Sequence, residues 1–463
     1  MPQDRSSFYA GLRTCVRAAV VAVAPALLLI ANAAWAGPGG GKSNGGGNGG
    51  NNEGNNDRGA VRLLTLIPVP VTAANNTAGG LYSFDISFVD QNTQTYYLAD
   101  RSNKVVDVVD ASMDTFAGQI APTSPFAPFA GFVPCVPAAG ANDCSGPNGV
   151  VAAFPWLFVT DAPSRVLSID LRTGKTVSQA TTKVGEPTRA DELAYDPTDG
   201  LLLVVNNAAT PPFATLISVN QTTGVLTVGT NITLDAAHGV DARNGAEQPV
   251  WNPATGKFYL SIPQIGATVS HGGVLRISTT GTVETTYGVE LCGPAGLTLG
   301  PGNDLLIGCN TVFDTAGNVW NPSGTVAAAP KDVILNVQTG STTDVPGVGA
   351  GDEVWFNAGD GNYYATGSGS PLRPLLGTTA AAGSTPLGVI DAEDRSLLQL
   401  VPTYNVPAGT GHPAGTAHSV AANASNNHVF VPLAANNAFL SPDGSTNCLK
   451  GCIAVFAMPS KSE

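Results

Sequence analysis

Charged side chains are scarce in this sequence, and basic ones most of all. Asp, Glu, Lys and Arg make up 12% of the 463 residues, and 21 Lys and Arg stand against 34 Asp and Glu, so the formal net charge is −13. Binding to nucleic acid needs clustered basic side chains, so this composition excludes nucleic acid as an expected partner. No segment after residue 36 is long and apolar enough to cross a bilayer, and no convincing 3.6-residue apolar period follows Gly79.

Several catalytic motifs are also missing. The chain has no phosphate-binding loop with its Lys, no G-x-S-x-G elbow before a helix and no H-E-x-x-H motif. Nucleotide use, a hydrolytic triad on a helix-bearing fold and a zincin site are therefore not expected.

The first 59 residues have the composition of an export signal followed by a spacer. Residues 1–36 combine a basic start, an apolar stretch over Ala18–Ala33 and a small-x-small cleavage pattern at Ala34–Ala36. An uncleaved membrane anchor is the alternative, although the apolar stretch is short for a span. Residues 37–59 are rich in Gly and Asn, which predicts a disordered linker. We therefore expect a secreted or periplasmic protein, with no membrane span in the mature chain and a folded domain over residues 60–463.

Cysteine usage agrees with export. Six cysteines follow Cys15 of the signal and fall into three local pairs. An even set of this kind favours disulfides in an oxidising compartment, and a metal-thiolate site is the weaker alternative. Sequence proximity favours the pairs Cys135 with Cys144, Cys292 with Cys309, and Cys448 with Cys452.

A repeated strand is the main fold signal. Gly (55) and Pro (34) are plentiful, and short alternating strands separated by turn residues follow one another along the body of the chain. Five of these strands end in an Asp or Asn that opens a turn, and each carries Asp, Glu or His five residues earlier. The strand-ending residues are Asp90, Asp196, Asn252, Asn357 and Asn423, and the earlier residues are Asp85, Asp191, Glu247, Asp352 and His418.

The spacing of these strands predicts seven repeats. Two of the gaps are about twice the others, and each holds a further unit without the acidic residue, at Asn148–Leu171 and Gly293–Cys309. Seven such units predict an all-β fold, a β-propeller of seven four-stranded antiparallel blades. The strand over Val61–Val71 is expected to complete the last blade and so close the ring. A β-sandwich is the alternative, but it does not explain the recurring register.

The repeated acidic position predicts a site. The inner strand of every propeller blade runs along the central channel, so residues in one register converge at one channel mouth. Carboxylates brought together repel one another unless they are protonated or joined by a cation. A divalent metal ion is therefore expected, calcium most of all because of the oxygen ligands, with zinc as the alternative because one imidazole is present. The expected residues are Asp85, Asp191, Glu247, Asp352 and His418, with Glu192, Gln248 and Glu353 as neighbours.

Three of the five histidines are candidates for the same site. His418 shares the register of the carboxylates, while His238 and His412 lie in Gly-bearing loops that lead into inner strands. Each is a candidate ligand or general base, and a purely structural role is the alternative. Acidic residues that merely meet solvent or hydrogen-bond turn amides are the alternative for the carboxylates.

The stretch Glu247–Tyr259, EQPVWNPATGKFY, resembles the blade motif E-G-P-V-W-D-P-x-x-G-x-L-Y of the regucalcin and gluconolactonase family. Pro147–Val150, PNGV, resembles that family's P-N-G-hydrophobic motif. The resemblance implies a calcium- or zinc-dependent propeller, several members of the family being lactonases, with Glu247 and Asn148 as metal ligands. This sequence departs from the family in predicting seven blades rather than six and in placing the Glu motif after the Asn motif.

Two functions follow as expectations. One is an exported metal-dependent hydrolase of the lactonase type, acting on a small-molecule substrate, with Asp191, Asp352 or His418 as the base. The other is a non-catalytic propeller that binds a ligand or a protein partner at its mouth, with a structural ion or none.

Overall fold

The structure of this protein is a computed structural model. It describes residues 59–135, 142–320, 328, 330–348, 351–367 and 386–458. The expected signal over residues 1–36 lies outside these ranges, as does the expected linker apart from Gly59. Across the described part of the chain, no helix has both the length and the apolar character needed to cross a membrane.

Seven four-stranded antiparallel sheets form a ring, and each sheet is one blade. The predicted seven-bladed β-propeller is therefore confirmed. The only helix among the described residues is a short 3-10 helix, Ala236–His238.

Six blades are continuous in sequence, and the seventh combines both ends of the folded chain. The strands are β1 (Arg62–Pro68); β2 (Ser87–Asp90), β3 (Thr95–Asp100), β4 (Val105–Asp110) and β5 (Thr115–Ile120) in blade 1; β6 (Val150–Ala153), β7 (Trp156–Asp161), β8 (Arg165–Asp170) and β9 (Lys175–Thr181) in blade 2; β10 (Leu193–Asp196), β11 (Leu201–Asn206), β12 (Phe213–Val219) and β13 (Leu226–Thr233) in blade 3; β14 (Pro249–Asn252), β15 (Lys257–Ile262), β16 (His271–Ile277) and β17 (Val283–Glu290) in blade 4; β18 (Cys292–Leu299), β19 (Asp304–Val312), β20 (Lys331–Asn336) and β21 (Thr342–Pro346) in blade 5; β22 (Gly351–Asn357), β23 (Asn362–Gly367), β24 (Leu387–Asp391) and β25 (Ser396–Val401) in blade 6; and β26 (Ala421–Asn423), β27 (His428–Leu433) and β28 (Cys452–Ala457) in blade 7.

The middle strands of blade 2 are buried along their whole length because each blade packs between two others. Every residue of β7 and β8 is buried, whereas the outer strands β9 and β17 alternate between buried and more exposed side chains. Strands covered on both faces lose the alternation that marks a half-buried strand. The hydrophobic core is accordingly divided into clusters lying within and between blades.

The residues that set the repeat in the sequence are turn caps. Each strand-ending Asp or Asn accepts a hydrogen bond on its side-chain oxygen from the backbone N–H two residues later, which is the geometry of an Asx turn. The N–H donors are those of Asn92, Thr198, Ala254, Gly359 and Ser425, at 2.8–3.1 Å from the caps Asp90, Asp196, Asn252, Asn357 and Asn423.

The two faces of the ring differ in the length of their connections. Tight hairpin turns with Asx caps lie on one face, and the described connecting residues 121–135, 142–149, 313–320, 402–420 and 434–451 lie on the other. All three disulfides lie at this second face, in the pairs that sequence proximity predicts. Long loops on a rigid scaffold are where propellers and other folds carry binding residues.

The first strand of the folded chain is the outermost strand of blade 7. β1 pairs antiparallel with β28, with Leu66 opposite Ala454. Leu66 and Ile67 are each 4% exposed. The backbone of Val61 also exchanges two hydrogen bonds with the Gln399 side chain of blade 6, at 2.8 and 2.9 Å.

Candidate functional site

The residue five positions before each turn cap lies where the inner strand begins. The seven inner strands contact one another in order around the ring. The backbone N–H groups of Asp85, Asn148, Asp191 and Glu247 all donate to the second strand of their own blade, at 2.8–3.0 Å. These residues therefore occupy one register, and Ala295 takes the same place in blade 5.

Hydrogen bonds between blades bring this register together. Ile86 donates its N–H to the Asn148 carbonyl oxygen, Gly149 to that of Asp191 and Gln248 to that of Ala295, at 3.1–3.3 Å. We call the set the mouth ring. It consists of Asp85, Asn148, Asp191, Glu247, Ala295, Asp352 and His418, and it therefore includes the five residues of the predicted repeated register together with Asn148.

Glycine makes the contact between blades 2 and 3 close. A Cβ atom on Gly149 would lie 2.6 Å from the carbonyl oxygen of Asp191. The same oxygen also accepts a hydrogen bond from the Thr160 hydroxyl. Gly149 thus fixes the distance of Asp191 from its neighbouring blade.

Arg101 ties blades 1 and 2 together at the mouth ring. It is 1% exposed, and its guanidinium donates to the Asp85 carboxylate, to Asn148 Oδ1 at 2.9 Å and to the Phe84 carbonyl oxygen at 3.2 Å. Burial raises the pKa of Asp85, but the Arg101 charge and the His418 contact outweigh it, so the net pKa is lowered. Asp85 is therefore held as a carboxylate.

Both polar atoms of the Asn148 side-chain amide form hydrogen bonds. Its Oδ1 accepts from Arg101, and its Nδ2 donates to the carbonyl oxygens of Ser145 at 3.0 Å and Ala190 at 2.8 Å. The side chain is fully buried. Asn148 therefore bridges blades 1 to 3, and its role as a metal ligand stays a prediction from the family resemblance.

His418 lies on the Asp85 side of the ring. Its Nε2 is 3.5 Å from Asp85 Oδ1, its Nδ1 is 2.9 Å from the Thr416 carbonyl oxygen, and its ring stacks on Phe84. Burial lowers the pKa of His418, while Asp85 and Asp352 raise it, and the net shift is upward. The imidazole is thus paired with a carboxylate.

Only one of the two carboxylate oxygens of Asp191 has a partner among the described residues. Its Oδ2 lies 2.8 Å from Arg189 Nη2, but its buried Oδ1 has no hydrogen-bond partner among the described residues. Burial raises the pKa of Asp191 to about 7, with the Arg189 charge acting against the rise. Asp191 therefore changes charge near neutral pH.

Glu192 carries a second buried oxygen without a partner, Oε2, in the part of the chain that the structure describes. At the equivalent position of blade 4, Gln248 Oε1 accepts a 2.5 Å hydrogen bond from the Leu297 N–H of blade 5. By the same register, Glu192 meets Pro249 of blade 4, and proline has no N–H to donate. The sequence of the next blade thus accounts for the unpartnered carboxyl oxygen.

Three glutamates share the acidic side of the ring. Burial is the largest cause that raises the pKa of Glu192, Glu247 and Glu353 well above the usual range, and neighbouring carboxylates add to the rise. Glu192 and Glu353 are 7% and 4% exposed. Without a compensating cation, burial and mutual repulsion therefore favour the protonated form of these glutamates.

The fit to a single metal ion is partial. Oxygen donors surround the mouth, but no group of three or more His, Cys, Asp or Glu side chains in the described ranges is placed to hold one ion. Asp352 Oδ1 accepts a 3.0 Å hydrogen bond from Asn310 Nδ2. A cation would have to draw the longer glutamate side chains together.

The other candidate histidines contact residues outside the mouth ring. His238 ends the 3-10 helix, where its Nδ1 is 2.6 Å from Asp235 Oδ1 and its side chain is 60% exposed. His412 stacks on Tyr82, with ring centroids 3.8 Å apart.

The two arginines of the site were not anticipated from the sequence. Arg101 follows a second strand and Arg189 precedes Asp191 by two residues, so neither belongs to the repeated register. The rarity of basic residues is the sequence feature that could have identified them, because the whole chain has only 21 Lys and Arg.

Comparison with known proteins supports the fold and nothing finer. No protein-family model matches the chain, and no curated protein matches it. A solved structure of Kuenenia stuttgartiensis hydrazine synthase is similar, with a TM-score of 0.53 and 12% sequence identity over 78% of this chain and 94% of that chain. Likeness at this identity concerns architecture alone, so the similarity shows a shared propeller-like fold.

Proposed function

We propose that this protein is an exported β-propeller that binds a divalent cation at the mouth ring, on the side formed by blades 3, 4 and 6. The buried, unpartnered Oε2 of Glu192 is the observation that carries the proposal. A buried carboxyl oxygen without a hydrogen bond is costly, and a bound cation offsets that cost. Three disulfides support the exported location.

The contacts favour one side of the ring. Arg101 neutralises Asp85 and engages Asn148, so these two residues offer little to a cation. On the opposite side, Asp191 Oδ1 and Glu192 Oε2 have no hydrogen-bond partner among the described residues. Burial, with the charges of Glu353 and Glu247, raises the pKa of Glu192. The ligand set is therefore drawn from Asp191, Glu192, Glu247, Asp352 and Glu353.

The donor chemistry favours calcium over zinc. The available ligands are carboxylate oxygens, which suit calcium with its flexible, high coordination number. Zinc favours nitrogen or sulfur ligands, and the single imidazole of the ring, His418, already lies against Asp85 and Thr416. Because the glutamates must rotate to meet one ion, we expect moderate rather than tight affinity.

A lactonase-type hydrolysis is the activity that the Glu247 motif suggests for this site. A bound cation would polarise the carbonyl of a lactone. Asp191 would accept a proton from water, because a group with a pKa of about 7 is partly ionised at neutral pH. Asp352 and His418 are the other candidate bases, and His418 is the weaker one because Asp85 and Asp352 raise its pKa.

A non-catalytic binding platform is the second candidate. It is favoured by the long connections on the face of the mouth ring, described over 121–135, 142–149, 402–420 and 434–451, because such loops enlarge a surface for a ligand or protein. In this case the cation would be structural.

Metal content and calcium titration of the mature protein test the proposal. We expect about one calcium ion per chain, with Glu192→Gln and Glu247→Gln weakening calcium binding about tenfold or more, because each removes a carboxylate ligand. Glu393→Gln, in an exposed turn on the opposite face, is the matched control and should bind as the wild type does. No calcium or zinc binding by the wild type, or an equal loss in the control, would contradict the proposal.

A lactone panel then separates the two candidates. Turnover that disappears with a chelator and in Glu247→Gln would support the hydrolase. A bound ion without turnover of any lactone would support the platform.

A further inference from the structure

One of the three disulfides is open to solvent. Both cysteines of the Cys135–Cys144 pair are partly exposed. The other two pairs are inaccessible, because each of their four cysteines has 0% exposed surface: Cys292, Cys309, Cys448 and Cys452. A mild reductant should therefore reach the first disulfide and not the others.

The exposed disulfide anchors Cys144, which directly follows the two residues that hold Arg189. The backbone N–H of Arg189 donates to the Asp143 carbonyl oxygen at 2.7 Å, and its Nη1 lies 3.4 Å from the Asn142 carbonyl oxygen. Asn142 and Asp143 immediately precede Cys144. The disulfide thus fixes the stretch of backbone that supports both ends of Arg189.

Arg189 in turn contacts the mouth ring and brings a positive charge to it. Its Nη2 is 2.8 Å from Asp191 Oδ2, and its Nε is 3.4 Å from Asn207 Oδ1. The arginine side chain is 13% exposed. The guanidinium therefore neutralises one carboxylate of the site that we propose for a divalent cation.

We propose that the Cys135–Cys144 disulfide sets the cation affinity of the mouth ring by holding Arg189 on Asp191. The inference rests on the proposed function, because the affinity concerned is that of the same site. A dithiol supplies the chemistry: it transfers two electrons and two protons, the Cys135–Cys144 bond becomes two thiols, and the dithiol becomes a disulfide.

The direction of the effect follows from charge. Once the loop is released, Asn142 and Asp143 no longer hold Arg189 in place. The time that its guanidinium spends on Asp191 then falls, and the site loses a positive charge that opposes cation binding. A divalent cation binds a more negative site more tightly, so reduction should strengthen calcium binding, by about tenfold for one charge in a partly buried site.

Calcium titration of the whole mature protein tests this, before and after treatment with a dithiol. Alkylation and mass mapping should show label on Cys135 and Cys144 alone. The double variant Cys135→Ser with Cys144→Ser should bind calcium about as tightly as the reduced wild type. Arg189→Gln should do so as well, and combining it with the cysteine changes should add nothing further, because both act on the same contact.

A second readout does not depend on calcium. The side-chain Nε–H signal of Arg189, identified by its loss in Arg189→Gln, should exchange with water faster after reduction. The Nε–H signal of buried Arg101, which donates to Asn148, should not change and serves as the internal control.

The outcomes separate the two proposals. Calcium binding that is identical in the oxidised protein, the reduced protein and the cysteine variant would overturn the inference and leave the proposed function standing. Absence of calcium binding in every form would overturn the proposed function. The Arg189 signal would then decide alone whether the disulfide holds the arginine.

Discussion

Arg101 is the residue on which the closed side of the mouth ring depends. Its buried guanidinium satisfies the Asp85 carboxylate, the Asn148 amide oxygen and the Phe84 carbonyl oxygen. Removing one partner of a buried ion pair leaves the other charge uncompensated, which costs far more than the pair contributes.

We expect Arg101→Met to lower the free energy of unfolding by about 3–5 kcal/mol, because Asp85 and Asn148 then remain buried without their donor. Denaturant unfolding followed by tryptophan fluorescence measures the loss. Arg172→Met is the matched control, since Arg172 pairs with Asp170 but is 52% exposed, and it should change stability by less than about 1 kcal/mol. Equal losses in the two variants would contradict the structural role of Arg101.

At this scale the sequence revealed the acidic ring but not its partners. Asp85, Asp191, Glu247, Asp352 and His418 were found because they repeat in one register, and the structure brings them to one mouth. The contact of Arg101 with Asn148 of the next blade depends on which strands become neighbours, and single-sequence patterns do not contain that information. Arg189 pairs with the nearby Asp191, but it lies outside the repeated register on which the prediction was based. The metal site stays a prediction, because no preformed group of ligands occurs among the described residues.

Blade 5 contains a buried carboxyl group that the sequence pattern does not reveal. Asp332 in β20 is fully buried, and its Oδ1 accepts a 3.0 Å hydrogen bond from the Cys309 N–H of β19. Its Oδ2 has no partner in the described structure. Burial raises the pKa of Asp332 to about 7, and the Cys309 N–H only partly opposes the shift. The blade is therefore packed around a carboxyl group that is protonated at acidic pH and changes charge near neutral pH.

The stability of blade 5 should depend on pH through Asp332. Below about pH 4 the carboxyl is protonated in both folded and unfolded chains. Between pH 4 and 7 the unfolded chain loses the proton first, so the free energy of unfolding falls as pH rises, by about 2–4 kcal/mol, and levels off above pH 7.

Asp332→Asn keeps the acceptor for Cys309 and cannot ionise. Its stability relative to wild type should therefore rise from pH 4 to pH 7, which denaturant titrations across this range would measure. A constant difference between the two proteins over the whole range would show that Asp332 does not titrate with the fold. Because both proteins share every other acid, their difference isolates this group.

The elements themselves were well predicted, for a local physical reason. The turn caps Asp90, Asp196 and Asn252 act through their own side chains on N–H groups two residues away, so the sequence contains the whole interaction. The sequence does not predict the burial of Asp332, because burial of a carboxyl in β20 depends on the packing of blade 6 against blade 5.

At the scale of the molecule, the seven sheets of the ring leave only the edges of their outermost strands unpaired, and β1 occupies that outer position in blade 7. The seven-blade count was predictable from strand spacing, because each blade repeats one supersecondary unit. The partner of β1 depends on a contact nearly four hundred residues away, between Leu66 and Ala454, which spacing alone only suggested. Its contribution to stability is open to direct measurement.

A protein that begins at Ala73 should be markedly less stable than the mature chain. It lacks β1, so the backbone of β28 becomes an unpaired edge, and the pockets filled by Leu66 and Ile67 are left empty. We expect the thermal midpoint to fall by about 10 °C.

A synthetic peptide of residues 59–72 should restore the thermal midpoint in a concentration-dependent way, because a ligand that binds only the folded state stabilises it. The same peptide with Leu66→Asp and Ile67→Asp is the control and should have no effect, since it cannot bury its apolar face. A truncated protein with the same thermal midpoint as the mature chain, or equal rescue by the two peptides, would show that β1 does not contribute to the stability of the propeller.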